Sequence, residues 1–437
     1  MLWANGQHVG RWTIPARGEE ELQYSRDWLA SPLGRPLSLS LPFGFDDAPL
    51  KGPAVANYFE NLLPDSAEIR RRVAQRFKTG SADAFDLLSA VGRDCVGAIQ
   101  LLAEGEAPIG WDTVEGVAVD DEAIERHLLE VVTPNRFAGA GDPDDDFRIS
   151  LAGAQEKDAF LWWNGAWLKP RGATPTTHIF KLPIGLVGGR RADFTTSVDN
   201  EWLCMKLLKA YGLDVAEVDI QTFGSQRVLV VERFDRLQSK GRLLRLMQED
   251  FCQATGTSPL VKYENEGGPG LAKLFELLAQ SVTAEKDMRT LMASQVLFWL
   301  LRATDGHAKN FSIALLAGRA QRFQMTPMYD VMSAFPAVGS GPNQWSAREL
   351  KLAMALVGKN RHYEIFNIQR RHFNSTARKV GFGESAEHVI EELLQRTPGA
   401  IAQVENELPP GFSLRVAESI FGGLRAAAQV LREMPSQ

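Results

Sequence analysis

The hydrophobic pattern changes character twice along the chain, and the changes divide it into three parts. In residues 1–140 short strand-like runs mix with helical spacing. LWANGQHVGRWTI sets Asn5-Gly6 between two runs of strand character, the signal of a type I′ hairpin. A helix is predicted to open near Pro64 and to run through SAEIRRRVAQRF. From Glu104 to Asp146 the chain is acidic and rich in Gly and Pro, and GAGDPDDDF within it reads as a solvated loop or boundary, with a metal site as the lesser reading. In residues 141–245 strand patterning takes over. FRISLAGAQEKDAFLWWNGAWLKP predicts a strand, a turn at Ala152-Gly153-Ala154, a strand, an Asn164-Gly165 hairpin and another strand; HIFKLP and RVLVVERFD predict two more. One helix interrupts them, SVDNEWLCMKLLKAYG, read as amphipathic with Ser197 as its N-cap. Residues 246–437 are mainly helical: LAKLFELLA, EKDMRTLMASQVLFWLL, EHVIEELLQR and GLRAAAQVLREM, with a hairpin across SIALLAGRAQRFQMTP. The predicted class is α+β: an N-terminal α+β subdomain, a β-rich lobe and a helical lobe, without internal repeats or low-complexity tracts.

Composition narrows the setting. A chain of 437 residues is too long for one ordinary core. Its 44% hydrophobic and 23% charged content is that of a globular protein. MLWANGQHVGRW lacks the basic-then-apolar pattern of a secretory signal, and the longest apolar run, Val296–Leu301, is too short to span a bilayer. Cys95, Cys204 and Cys252 are far apart, which excludes a disulfide framework and a sequence-evident zinc site and fits a reducing cytoplasm. A net charge of −6 excludes a general polyanion binder, while a local basic patch or a basic partner could still bring the chain to DNA.

The candidate chemistry begins directly after VLFWLL, in ATDGHAKNFS. Asp305 and Asn310 form D-x-x-x-x-N, the spacing of the catalytic loop of protein kinases, where the aspartate takes the substrate hydroxyl proton and the asparagine holds magnesium. Asp330, in MTPMYDVMSAF, lies twenty residues past Asn310, where a second aspartate would ligate the metal; the competing reading is an N-cap for VMSAF. Lys181, in IFKLP, could snorkel or could reach phosphates, with Glu201 or Asp199 as its ion-pair partner. SLAGAQEK is no standard phosphate-loop motif, yet a turn around Gly153 could present N–H groups to a phosphate. GGPG, Gly267–Gly270, reads as a turn and helix start. Glu232, Arg233 and Phe234 of VERFDR fall where kinases grip adenine, or form a charged strand end. His307 is structural or a phosphate contact. A β-rich lobe before a helical lobe is the layout of kinase-like folds, which many functions share.

The chain resembles the HipA family, the serine/threonine kinase toxins of bacterial HipBA toxin–antitoxin modules. The likeness spans nearly its whole length and is carried by RPLSLSLP, NLLPDS, FDLLSAVGRDCVGA, DFRISLAGAQEK, TPTTHIFKLPIG, SVDNE, VERFDR, QEDFCQ, YENEGGPG, ATDGHAKNFS, PMYDVMSAFP and LKLAMAL. It implies a bilobal protein-kinase-like fold with an N-terminal subdomain and an all-helical C-terminal lobe. It implies ATP and Mg²⁺ as cofactors, with Asp305 as base, Asn310 and Asp330 as metal ligands, and Lys181 on phosphates. Ala152, Gly153, Ala154 and Gln155 would form the phosphate loop, Glu232 to Phe234 would hold adenine, and Ser150 would be the serine that family members autophosphorylate to silence themselves. It further implies a HipB-like helix-turn-helix antitoxin, operator DNA reached mainly through it, and a protein substrate of the aminoacyl-tRNA synthetase class. A small-molecule kinase and a non-catalytic co-repressor are the competing readings; NLLPDS and GRDCVGA argue against the first, and the joint presence of Asp305, Asn310, Asp330 and Lys181 against the second. Lys359, Arg361, Arg370, Arg371, Arg378 and Lys379 form a basic stretch that reads as a solvated helix face or as a phosphate contact. GSGPNQWSAREL, from Gly339 to Leu350, looks individual to this chain.

Overall fold

The first hairpin forms as its turn residues dictate. Asn5 and Gly6 take φ of 45° and 78°, as a type I′ turn requires, and join strands Leu2–Ala4 and Gln7–Thr13. The computed structural model describes residues 1–44, 48–132, 150–153, 155–188 and 191–436. The GAGDPDDDF stretch, the start of the expected FRIS strand and Ala154 lie outside the described residues.

Two compact units emerge, each assembled from three stretches of chain. The first comprises Met1–Leu182, Gln221–Leu260 and Ile313–Phe323. Its N-terminal sheet has strand order Leu50–Lys51, Glu21–Tyr24, Gln7–Thr13, Leu2–Ala4, Gln100–Leu101. Helix Ala67–Phe77 follows, capped by Ser66, whose hydroxyl accepts from the Ile69 N–H. A second sheet runs Val218–Phe223, Gln226–Glu232, His178–Lys181, Lys157–Trp163, Ala166–Pro170, Gly116–Ala118. The Asn164-Gly165 turn again has two positive φ angles, 50° and 81°. Val228 to Val231 are all buried, so this strand is covered on both faces and shows no alternation.

The acidic segment after Glu104 holds two elements to which the sequence reading assigned nothing. It contains strand Gly116–Ala118 and helix Asp121–Val132. Its acidic residues open the helix: Asp120 Oδ1 accepts from the Ala123 N–H, and Asp121 and Glu122 occupy the first turn, where negative charge is favoured. Ile124 and Leu128 then pack on Phe160, Phe180, Val228 and Val230.

The second unit comprises Pro183–Ile220, Val261–Ser312 and Gln324–Gln437. Helices Ser197–Ala210, Ala284–Leu301, Glu387–Asn406 and Leu414–Glu433 pack on one another in it. Helix Ser197–Ala210 is buried on almost every side, and so is not amphipathic. Ser197 lies inside it and is not its cap; its hydroxyl accepts from the Ile184 N–H at 3.0 Å. The chain after residue 246 is predominantly but not wholly helical. The expected hairpin, Ser312–Leu315 with Phe323–Met325, lies mostly in the first unit, and a further hairpin in the second is Lys351–Val357 with Arg361–Glu364. Leu352 to Leu356 are all buried, which erases the period-two signal. The three cysteines are buried and form no disulfide among the described residues. No helix among the described residues is long and apolar enough to cross a membrane.

Glu249 is fully buried; one carboxylate oxygen accepts from the Leu39 N–H at 2.9 Å and the other has no hydrogen-bond partner. Burial pushes its pKa up to about 8, against weaker opposition from Ser38 and Leu39. Folding therefore takes up a proton: the stabilisation is complete below the ordinary carboxyl range of about 4 and is lost as pH rises towards 8. Glu249→Gln keeps an acceptor and cannot ionise. The Tm of this variant should gain on that of the native chain as pH is raised from about 5 to about 8.5; a gap independent of pH would refute a neutral Glu249.

Candidate functional site

In the first unit the predicted site residues cluster around strand His178–Lys181. Lys181 is buried, opposite Leu229 on one side and Lys157 on the other. Glu232 ends the neighbouring strand, exposed and in register with His178. Phe234 is half-buried just beyond it.

The Arg233 side chain has a different task from gripping adenine. It is buried, and its guanidinium bonds Asp235 at 2.9 and 3.0 Å, Thr176 at 2.9 Å, the Cys95 carbonyl at 2.7 Å and Asp94 at 3.3 Å. Arg236 reaches Asp94 at 2.8 Å, and Arg245 reaches it at 3.3 Å. Thr176 donates to Asp94 at 2.7 Å, and Asp235 accepts from the Gly97 N–H at 2.7 Å. None of these five charged side chains is more than 6% exposed. Burial opposes the charge of Asp94, but Arg236, Arg233 and Arg245 outweigh it and hold its carboxyl well below the usual range. Asp235 is lowered in the same way, by Arg233 and Arg236 against burial. GRDCVGA, TPTTHIF and VERFDR thus meet in one knot. What Arg233 can still offer a ligand is its backbone, and its N–H is already given to the Thr177 carbonyl at 2.9 Å.

The segment expected to hold phosphate is clasped by N-terminal residues. The Ser150 N–H donates to the Asp94 carbonyl at 3.1 Å, and its hydroxyl donates to the Leu62 carbonyl at 2.8 Å. Ser150 is buried. The Asp65 N–H donates to the Gly153 carbonyl at 3.1 Å, and Arg72 pairs with Glu156. Gln155 donates to the Leu182 carbonyl and Lys157 to the Ala152 carbonyl, each at 2.5 Å. Gly153 has φ 107°, and a Cβ there would lie 2.6 Å from Lys157 Nζ, so the turn calls for glycine. Ser150 and Leu151 form no strand.

In the second unit, VLFWLL proves to be the end of a core helix, in which every residue from Leu291 to Leu301 is buried. Arg302 stops the helix in the left-handed conformation, φ 54°, and its guanidinium lies over the Trp299 ring. The chain surfaces only briefly after it: Asp305 is exposed, while His307, Lys309 and Asn310 are buried. A Cβ on Gly306 would lie 2.3 Å from the Phe298 ring, so the loop closes against the helix only with glycine. The Asp305 carbonyl accepts from the His307 N–H at 2.8 Å and from Asn310 Nδ2 at 2.6 Å. This orients the Asn310 amide and leaves its oxygen as a potential cation ligand. The Asp305 side chain is half-exposed, with one carboxylate oxygen 3.8 Å from Nε2 of the buried His307. The same oxygen accepts from the Tyr263 hydroxyl.

Asp330 caps no helix, since none begins at Val331. It is held at φ 60°, a backbone that carries strain for a residue other than glycine. Its neighbours fix it: the Tyr329 hydroxyl donates to the Lys309 carbonyl at 2.8 Å, and the Ser333 hydroxyl to the Leu301 carbonyl at 2.6 Å. Asn200 of SVDNE clamps Ser333 from both sides, accepting from its N–H at 2.8 Å and donating to its carbonyl at 2.7 Å. Among the described residues no three His, Cys, Asp or Glu side chains converge as a metal cage. Asn310 and Asp330 are oxygen donors of the kind a hard cation takes together with phosphate and water.

Three residues with evident tasks, Asp94, Asn200 and Tyr263, escape sequence reasoning. Each acts on a partner remote in sequence, and the motifs containing them were the only signal. Of the basic stretch only Arg370 is buried, paired with Glu387 and Glu391; Lys359, Arg361, Arg371, Arg378 and Lys379 are exposed, Lys379 donating to the Gly358 carbonyl and Arg361 lying 3.6 Å from Glu264.

The fold is α+β and kinase-like, and known proteins share it. Residues 1–102 match the HipA N-terminal domain and residues 149–401 the HipA-like C-terminal domain. Y4mE of Sinorhizobium fredii, which bears the name of a kinase, is 33% identical over 92% of this chain and 91% of its own. The serine/threonine-protein kinase toxin HipA of Shewanella oneidensis is 30% identical over 89% of this chain and 85% of its own. A solved complex of Shewanella oneidensis HipA, HipB and operator DNA superposes with a TM-score of 0.78 at 24% identity, covering 98% of this chain and 96% of that one. The chain belongs to the HipA family.

Asp94→Ala would strand three buried guanidinium groups with one carboxylate. Breaking a buried ion network in this way costs about 3–5 kcal/mol, so the denaturant midpoint should fall sharply. An unchanged midpoint would show that the knot contributes nothing to stability.

Proposed function

We propose that this protein is an ATP-dependent serine/threonine protein kinase, the toxin of a type II toxin–antitoxin module. The observation that carries the reading is the single polar loop on which Asn310 Nδ2 binds the Asp305 carbonyl while Tyr329 and Ser333 tie the Asp330 segment to the same loop and helix end. In the reaction, the acceptor hydroxyl oxygen bonds to the γ-phosphorus, the bond from that phosphorus to the bridging oxygen breaks, and ADP leaves. Asp305 orients the hydroxyl and takes its proton. Asn310 and Asp330 hold Mg²⁺, which when bound neutralises phosphate charge. Lys181 and the N–H groups of Ala152 to Gln155 serve phosphates, the backbone from Glu232 to Phe234 serves adenine, and His307 steadies the loop.

Ser150 is the self-silencing site. Its hydroxyl is buried and committed to a carbonyl, and a phosphate of nearly two negative charges cannot be accommodated there. Phosphorylation therefore requires the segment to leave its clasp, and prevents its return. The partners are a HipB-like antitoxin, operator DNA held mainly by that antitoxin, and a protein substrate of the aminoacyl-tRNA synthetase class. Support for the antitoxin and DNA is the similarity to the Shewanella oneidensis HipA whose solved structure contains both.

After incubation with Mg²⁺ and ATP, intact-mass spectrometry should show phosphate on the native chain and none on Asp305→Gln, and peptide mapping should place it on Ser150. Protein that binds ATP yet gains no phosphate, or phosphate persisting on Ser150→Ala at the same peptide, would count against this reading.

A further inference from the structure

The YENEGGPG segment is built as a bracket whose outward end is Tyr263. Glu264 is buried, and one of its oxygens accepts from the Ala355 N–H at 2.7 Å, fixing the segment to strand Lys351–Val357. The glycines permit the fit. Gly267 takes φ 105°; a Cβ on Gly268 would lie 2.2 Å from the Val261 carbonyl oxygen, and one on Gly270 would lie 2.3 Å from the Glu264 carboxyl carbon. The Tyr263 hydroxyl reaches a carboxylate oxygen of Asp305, and its ring stands edge-on to His307, with centroids 4.9 Å apart at 85°. LKLAMAL thus holds YENEGGPG through Glu264, and YENEGGPG reaches Asp305 through Tyr263.

We propose that Tyr263 is the positioning residue of the catalytic base. The inference rests on the kinase reading of Asp305. A half-exposed carboxylate on a short loop can rotate among several orientations. The phenol donates to one oxygen and so fixes the plane of the carboxylate, leaving the second oxygen to receive the acceptor hydroxyl. A carboxylate accepts at both oxygens, so the two bonds are compatible. Tyr263 moves no proton in the reaction and touches no nucleotide.

The test uses the full chain and two variants. Tyr263→Phe keeps the ring against His307 and removes only the hydroxyl. Its kcat for phosphoryl transfer should fall about tenfold or more, the loss expected for one hydrogen bond to a charged group. The KM for ATP and the thermal midpoint should match those of the native chain. Placing 3-fluorotyrosine at 263 restores the hydroxyl and should restore kcat, and it remains informative should the phenylalanine variant fold poorly. A phenylalanine variant with native or raised kcat would overturn the proposal, as would a fall confined to the KM for ATP, or a fluorotyrosine protein no better than the phenylalanine one. A native chain that binds ATP without transferring phosphate would sink the kinase reading and this one with it; an active native chain indifferent to Tyr263→Phe would sink this one alone.

Discussion

Most of the first unit hangs on the meeting of Asp94 and Asp235 with Arg233, Arg236 and Arg245. Charges taken so far out of water are tolerated only where nearly every donor and acceptor is met, and here backbone carbonyls and Thr176 complete what the carboxylates leave open. The consequence is geometric. Stretches far apart in sequence must converge within hydrogen-bond distance, or Asp94 and the three arginines are left with buried, unpaired charge. The knot therefore fixes where strand Gln226–Glu232 ends and where the segment around Ser150 begins, since Ser150 hangs on the Asp94 carbonyl.

The second unit solves a similar problem with neutral groups. Its core helix ends at Leu301, and a polar loop follows. A left-handed residue stops it, Gly306 folds the loop back on Phe298, and Asn310 locks the turn by its amide. Asn200 and Ser333 do for the Asp330 segment what Asn310 does for the loop. In both places the groups suited to chemistry stand at a helix or strand end, while the amides and hydroxyls that orient them are buried.

What could be read in the sequence was what is local. Asn5-Gly6 and Asn164-Gly165 announced their hairpins because the turn itself demands those residues. The spacing of Asp305 and Asn310 announced a loop because both lie on it. Strand Lys351–Val357 stayed hidden because burial on both faces removes alternation. The acidic helix Asp121–Val132 drew no element of its own from the sequence, because charge at a helix start resembles charge in a loop. Asp94, Asn200 and Tyr263 were unreadable for a stricter reason: each is defined by a partner at least 42 residues away, and no spacing rule reaches that far.

The clasp on Ser150 has a consequence for how the chain is partitioned. The two matched family models stop at residue 102 and start again at 149, which suggests separable modules. The bonds from Ser150 to Leu62 and Asp94, and from Asp65 to Gly153, run straight across that boundary. Mechanically, the earlier piece is a splint for the later one. A chain shorn of its first hundred or so residues would keep every strand of the second sheet and lose the backbone groups that hold Ser150 and Gly153.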